Sequence, residues 1–146
     1  MIMKILIMGL PGAGKTTLAK KLVNLINAEW LNADDVRKKA NDWDFSPKGR
    51  IRQAMRMAKL ADEFKLKKRD VVVDFICPTE KSMNLFNPDF VIWMDTISEG
   101  RYDDTNKLFT KPKKYDVRVI EKNSEKWVKI VYKKLSEKKI CLKKIS

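Results

Sequence analysis

The sequence predicts an α/β fold of three layers, with helices on both faces of a mostly parallel five-stranded sheet. Two observations carry the prediction. Apolar strand-like runs alternate with helical patterns along the whole 146 residues, the order that produces a parallel sheet covered on both sides. In addition, residues 9–17 read Gly-Leu-Pro-Gly-Ala-Gly-Lys-Thr-Thr, between the apolar run Ile5-Leu6-Ile7-Met8 and a helical pattern. That is the phosphate-binding loop G-x-x-x-x-G-K-[ST] in its strand–loop–helix setting. It makes the predicted architecture a P-loop NTPase fold of the nucleotide-kinase kind. The length leaves room for one domain with a proper core, expected to span residues 1–146.

Each element has its own sequence reason. Residues 1–8 form a buried strand running into the loop, and Lys15 opens a helix with Leu18, Leu22, Val23, Leu25 and Ile26 facing the core. Residues 29–31 are a short second strand that delivers residues 32–37 to its carboxyl end. Ser46-Pro47 starts a long helix, because serine can cap it and proline is pre-set for the first turn. It is expected to reach about residue 67, with Ile51, Ala54, Met55, Ala58 and Ala61 on one face. Residues 71–75 and 90–95 are further strands, the second following the turn Asn87-Pro88-Asp89, and residues 115–119 a fifth. A terminal helix over residues 124–138 carries Trp127, Ile130, Val131 and Leu135 on its apolar stripe, followed by a frayed tail over 138–146.

Composition sets the outer bounds. The net charge of +13 is uneven: residues 107–146 hold fourteen Lys or Arg against four Asp or Glu, a balance of +10 that leaves +3 for the first 106. The commoner meaning of lysines along such a helix is a solvated face, and nucleic-acid binding through the basic C-terminus is the secondary expectation. No apolar stretch approaches the roughly 18 residues of a membrane span, and the N-terminal apolar segment reads as a strand rather than a signal peptide. Cys77 and Cys141 lack metal or redox spacing and read as reduced thiols, giving a cytoplasmic expectation. The chain contains no histidine, so a side-chain general base has to be a carboxylate.

In a parallel sheet ligands bind beyond the carboxyl ends of the strands, and the candidate residues are read there. Gly9, Gly12 and Gly14 permit the turns of the loop, which Leu10, Pro11, Ala13 and Thr17 complete. Its N–H groups and the positive end of the next helix cradle phosphate. Lys15 would reach the β- and γ-phosphates of ATP and Thr16 would ligate Mg²⁺. Asp34 could hold a Mg²⁺-bound water or take the proton of an attacking hydroxyl. Alternatively, Asp34 or Asp35 caps the helix begun at Val36. Asp74 closes the run Val71-Val72-Val73, either as a second Mg²⁺-directed carboxylate or as a strand-end turn residue. Arg37, Arg50 and Arg56 are candidate anion clamps by their planar fork. Arg52 and Arg56 fall on the outward helix face, whereas Arg50 lies in the first turn. The sequence argues against guanine selection, because Asn106-Lys107-Leu108-Phe109 lacks the aspartate of Asn-Lys-x-Asp.

Three further strings carry a resemblance: Leu31-Asn32-Ala33-Asp34-Asp35-Val36-Arg37, then Trp43-Asp44-Phe45-Ser46-Pro47-Lys48-Gly49-Arg50, then Ile76-Cys77-Pro78. With the phosphate loop, they resemble adenylyl-sulfate kinase over about residues 1–97, in order and spacing. The resemblance implies transfer of the γ-phosphoryl group of ATP, with Mg²⁺, to the 3′-hydroxyl of adenylyl sulfate. It further implies that Asp34 sits by that hydroxyl, that Arg37 and Arg50 hold the phosphosulfate, and that Phe45 packs on adenine. Ile76 and Cys77 would offer backbone groups, and a homodimer is possible. Departures accompany it. Asn32 replaces the first acid of the family's Asp-Gly-Asp, Gln53 stands for its Asn, and the lid, about residues 98–114, is short. In that lid Arg101, Lys107 and Phe109-Thr110 would stand for the family's Arg, Lys and Phe-Thr. Two alternatives remain open: a kinase for a nucleoside or a 5′-hydroxyl nucleic-acid end, and a nucleotide-binding regulator without turnover.

Overall fold

In a computed structural model, which describes residues 1–145, the chain forms five strands and six helices. The strands are β1 (Lys4–Met8), β2 (Glu29–Asn32), β3 (Val71–Asp74), β4 (Phe90–Met94) and β5 (Val117–Val119). The helices are α1 (Lys15–Ile26), α2 (Ala33–Ala40), α3 (Pro47–Leu66), α4 (Glu80–Phe86), α5 (Asp103–Leu108) and α6 (Ser124–Ile145). Strand order is β2-β3-β1-β4-β5 with every pairing parallel, so the predicted three-layer P-loop fold is the one observed. β1 lies at the centre, and its alternating side chains divide the core. Ile5 and Ile7 join Leu18, Leu22, Trp127 and Val131 beneath α1 and α6, while Leu6 and Met8 join Met57, Ala61, Phe75 and Phe86 beneath α3 and α4.

Ser46 caps α3 as predicted, its side chain accepting from the Gly49 N–H. Several expectations are corrected. Leu25 and Met55 point to solvent at 53% and 57% exposure, and Met57 takes the core place instead. Ile130 lies off the buried stripe of α6, which is Trp127, Val131 and Leu135. Residues 138–145 are helical rather than a frayed tail. The first two of them are tied down at the amino edge of the sheet, where three aspartates accept backbone N–H groups: Asp70 from Met3, just before β1, Asp89 from Lys4 and Asp116 from Val91. Lys138 bonds Asp116 and the Asp89 carbonyl, and Lys139 bonds Asp70. Part of the C-terminal charge is therefore structural. Among the described residues no helix is long and apolar enough to cross a membrane.

Candidate functional site

The phosphate loop joins the carboxyl end of β1 to α1. Gly9 and Gly14 adopt φ values of 149° and 101°, and both have neighbours that exclude a side chain. A Cβ at Gly9 would lie 2.6 Å from the Met94 carbonyl oxygen, and one at Gly14 would collide with the indole of Trp127. The loop is held by the Ala13 N–H on the Leu10 carbonyl (3.1 Å) and by Thr96 Oγ1 donating to the Ala13 carbonyl (2.7 Å). Lys15 Nζ donates to the Leu10 carbonyl at 2.9 Å. Burial lowers its pKa to about 8, against the opposing pull of the Asp74 and Asp34 carboxylates, while Arg101 adds to the lowering.

Strand register brings the carboxylates to this loop. Asn32 and Ile7 flank Asp74 on the neighbouring strands. The Asp74 side chain accepts from Trp30 Nε1 (2.6 Å) and Asn32 Nδ2 (2.9 Å), and that same amide lies 3.4 Å from Thr16 Oγ1. Burial raises the Asp74 pKa, and the bond from Trp30, the Lys15 charge and the bond from Asn32 moderate the rise. Asn32 Oδ1 also accepts the Asp35 N–H (3.1 Å), so Asn32 is the cap of α2. The alternative reading of Asp34 or Asp35 as that cap is thereby set aside, and Asp34 is left exposed in the first turn, facing the cavity beside Lys15. The indole of Trp30 was not anticipated, although Trp30 and Asn32 share one face of β2 by simple alternation.

A cavity of about 590 Å³ extends from Lys15, Thr16 and Asp34 to Arg37, Phe45, Arg50 and Gln53. Ile76, Cys77 and Arg101 also line it, as do Trp43 and Tyr102, which sequence reasoning missed. The Arg37 guanidinium stacks 4.3 Å from the Phe45 ring centre and that of Arg50 lies 5.5 Å from it. Arg50 Nε donates to the Phe45 carbonyl, and its Nη2 reaches Thr105 Oγ1 (3.2 Å) and Asp104 (3.5 Å) on α5. Gln53 bridges the Ala33 carbonyl and Arg56. Arg52 and Arg56 are not free on the helix face but paired with Asp42.

Cys77, at a left-handed φ of 49°, is a buried thiol whose ionisation burial disfavours. Lys107 and Phe109 do not line the cavity: Lys107 is exposed, and Phe109 packs against the core beneath α3 and α4. The segment from Thr96 to Gly100 lies against the loop on its other side, where Asp95, Ile97, Glu99 and Lys122 border a second cavity of about 470 Å³.

These donors fit a hard cation held largely by phosphate and water. Thr16 offers a hydroxyl, Asp34 and Asp74 carboxylates, and among the described residues no group of three or more His, Cys, Asp or Glu forms a metal cage. Mg²⁺ beside a polyphosphate takes one or two protein oxygens in just this way.

Residues 5–87 match the AAA domain family, more than half of the chain, and the protein belongs to that family of nucleotide-binding domains. No curated protein sequence matches. Among solved structures, the Mycobacterium tuberculosis APS kinase CysC in complex with AMPPNP and APS superposes with a TM-score of 0.76 at 20% identity, covering 91% of this chain and 97% of that one. A sugar kinase from Janibacter gives 0.76 at 14% identity, covering 93% and 95%. Shikimate kinase from Aquifex aeolicus gives 0.65 at 19%, covering 94% and 99%. At these identities the likeness establishes a fold shared with small-molecule kinases.

Proposed function

We propose that this protein is an ATP- and Mg²⁺-dependent kinase that phosphorylates the 3′-hydroxyl of adenylyl sulfate. One observation carries the choice of acceptor. The wall of the cavity facing Lys15 and Asp34 is built from two guanidiniums packed on one phenyl ring, Arg37 and Arg50 on Phe45. A planar aromatic group joined to a compact anion matches that wall chemically: the ring stacks while the arginines take the anion. The family resemblance over residues 1–97 names adenylyl sulfate among such molecules.

In this reading the phosphate loop and Lys15 hold the triphosphate, and Thr16 with Asp34 and Asp74 would hold Mg²⁺. The metal would neutralise charge on the transferred phosphoryl group, which is most of what this chemistry requires of it. Asp34 stands near the acceptor hydroxyl and accepts its proton. The new O–P bond forms as the bond between the γ-phosphorus and the bridging oxygen of ADP breaks. Arg101, which lines the same cavity, adds positive charge where the phosphoryl group passes and helps exclude water. Ile76 and Cys77 border the acceptor with backbone groups, and Gln53 supports the wall.

The test is ADP release from Mg·ATP with adenylyl sulfate, a nucleoside mixture, shikimate, gluconate and a 5′-hydroxyl oligonucleotide as separate acceptors. Stimulation by adenylyl sulfate alone supports the reading. Stimulation by another acceptor instead reassigns the substrate, and silence with all of them would favour a nucleotide-binding regulator. The second reading, a kinase of another small hydroxylated molecule, draws on the sugar kinase that superposes with the same TM-score of 0.76 and on shikimate kinase at 0.65. Asp34→Asn should lower turnover far more than ATP affinity, as measured by kcat against the dissociation constant. Equal losses of both, together with stability, would make Asp34 structural.

A further inference from the structure

We propose that Asp42 is the positioning residue of the acceptor wall: pinned by Arg52 and Arg56, it holds the loop whose carbonyls orient Arg37 and whose ring is Phe45. The inference deepens the acceptor reading above and rests on it for its kinetic consequence. Arg37 does not orient itself. Only 5% exposed, it is fixed by Nη1, which donates to the carbonyl oxygens of Asp42 (2.9 Å) and Asp44 (3.2 Å). Both acceptors are backbone atoms of the irregular stretch between α2 and α3, residues 41–46. The place of the Arg37 fork is thus decided by what holds that stretch.

Besides the Asp42 N–H on the Arg37 carbonyl (3.1 Å) and the Asn41 N–H on that of Lys38 (3.2 Å), the stretch is held by its own carboxylates. Asp42 accepts from Arg52 Nε (2.7 Å) and Nη2 (3.0 Å) and from Arg56 Nη2 (2.7 Å). Its side chain is 13% exposed, and the bond from Arg52, then that from Arg56, hold the carboxyl far below its ordinary range. Asp44 adds a bond to the Ser46 N–H (2.9 Å) and one from Arg52 (3.1 Å). Arg56 continues to Gln53, whose amide bonds the first carbonyl of α2 at Ala33. Arg52, Arg56 and Gln53 all project from α3, so a rigid helix sets the loop. Bidentate guanidinium–carboxylate pairs fix direction as well as distance. Two arginines that touch no part of the cavity thereby decide where Arg37 and Phe45 stand, because an acceptor site works only when its groups are held close to their productive geometry.

The experiment compares wild type with Asp42→Asn and with the double variant Arg52→Met/Arg56→Met, each carrying out the two measurements below. Lys65→Met, which loses an ion pair to Asp89 on the opposite side of the fold, serves as the control. Hydrogen exchange in residues 37–46 tests the clamp without any acceptor. Faster exchange there in both variants, with β1 and α1 unchanged, is expected, and unchanged exchange would overturn the proposal. Steady-state kinetics test the consequence. The KM for adenylyl sulfate should rise roughly tenfold to a hundredfold, the size of one lost charge-assisted hydrogen bond, with the KM for ATP unchanged. Loosened exchange with an unaltered acceptor KM would overturn the positioning role. Loosened exchange in a protein whose wild type ignores adenylyl sulfate would support the clamp while removing the substrate assignment.

Discussion

At the scale of single residues, Lys15 shows how burial in the phosphate loop sets an electrostatic cost that a bound anion would relieve. Its ammonium donates to the Leu10 carbonyl and is pushed down to a pKa of about 8, chiefly by burial. Because the folded value lies below the ordinary 10.5, the unfolded chain holds the extra proton between those two pH values. Folding stability contributed by this group therefore rises as pH climbs from about 8 towards 10.5 and is least favourable below 8. Thermal unfolding should show that rise in wild type and lose it in Lys15→Met. Phosphate bound at Lys15 would raise the pKa again, so ATP binding near pH 8 should take up protons. Calorimetry in buffers of different ionisation heat checks this. The motif identified Lys15, Thr16 and the three glycines from sequence because their backbone geometry is local. By contrast, nothing local ties Asp74 to Trp30 and Asn32, which lie 44 and 42 residues away. Parallel pairing of β2 with β3 brings them together.

Among the elements, α6 connects most unexpectedly to the site. Its Trp127 is 7% exposed, fills the space a Cβ at Gly14 would need and donates from Nε1 to the Glu121 carbonyl at 2.5 Å. The last helix, on the same face of the sheet as α1, thus backs the phosphate loop directly. Trp127→Ala should cost about 3–5 kcal/mol, the range for emptying a buried aromatic site, and should weaken ATP binding with it. Urea unfolding and nucleotide titration together check the pair, and Trp127→Phe should lose much less of both. The α6 stripe was readable from its period of 3.6, though Ile130 shows that period alone leaves a position's burial open at the stripe's edge. The short helices α4 and α5 escaped the sequence reading, since six or seven residues hold too few turns to display a period. α5 nevertheless delivers Thr105 and Asp104 to Arg50, beside the arginine–phenyl wall of the cavity.

Across the whole molecule the two edges of the sheet have divided tasks. The carboxyl edge gathers the phosphate loop, Asp34, Asp74 and the arginine–phenyl wall, while the amino edge holds Asp70, Asp89 and Asp116 against backbone N–H groups and the lysines of α6. Lys138→Met/Lys139→Met should therefore lower stability by about 1–3 kcal/mol, from three lost charge-assisted bonds that are partly exposed. The same variant should leave acceptor and ATP kinetics unchanged, because the chemistry lies at the other edge. Differential scanning calorimetry beside an ADP-release assay checks both halves. By itself the sequence determined the fold class, the phosphate loop and the order of the strands along the chain. Those features are encoded in spacing over a few residues: the glycines and Lys15 of the loop, the apolar runs, the Ser46-Pro47 start. Only the tertiary structure decided that Asn32 rather than Asp34 caps α2, that Phe109 faces the core, and that Asp42 is gripped by Arg52 and Arg56. Each of these turns on which distant side chain reaches a polar group first, a choice made by strand register and helix packing rather than by any neighbouring residue.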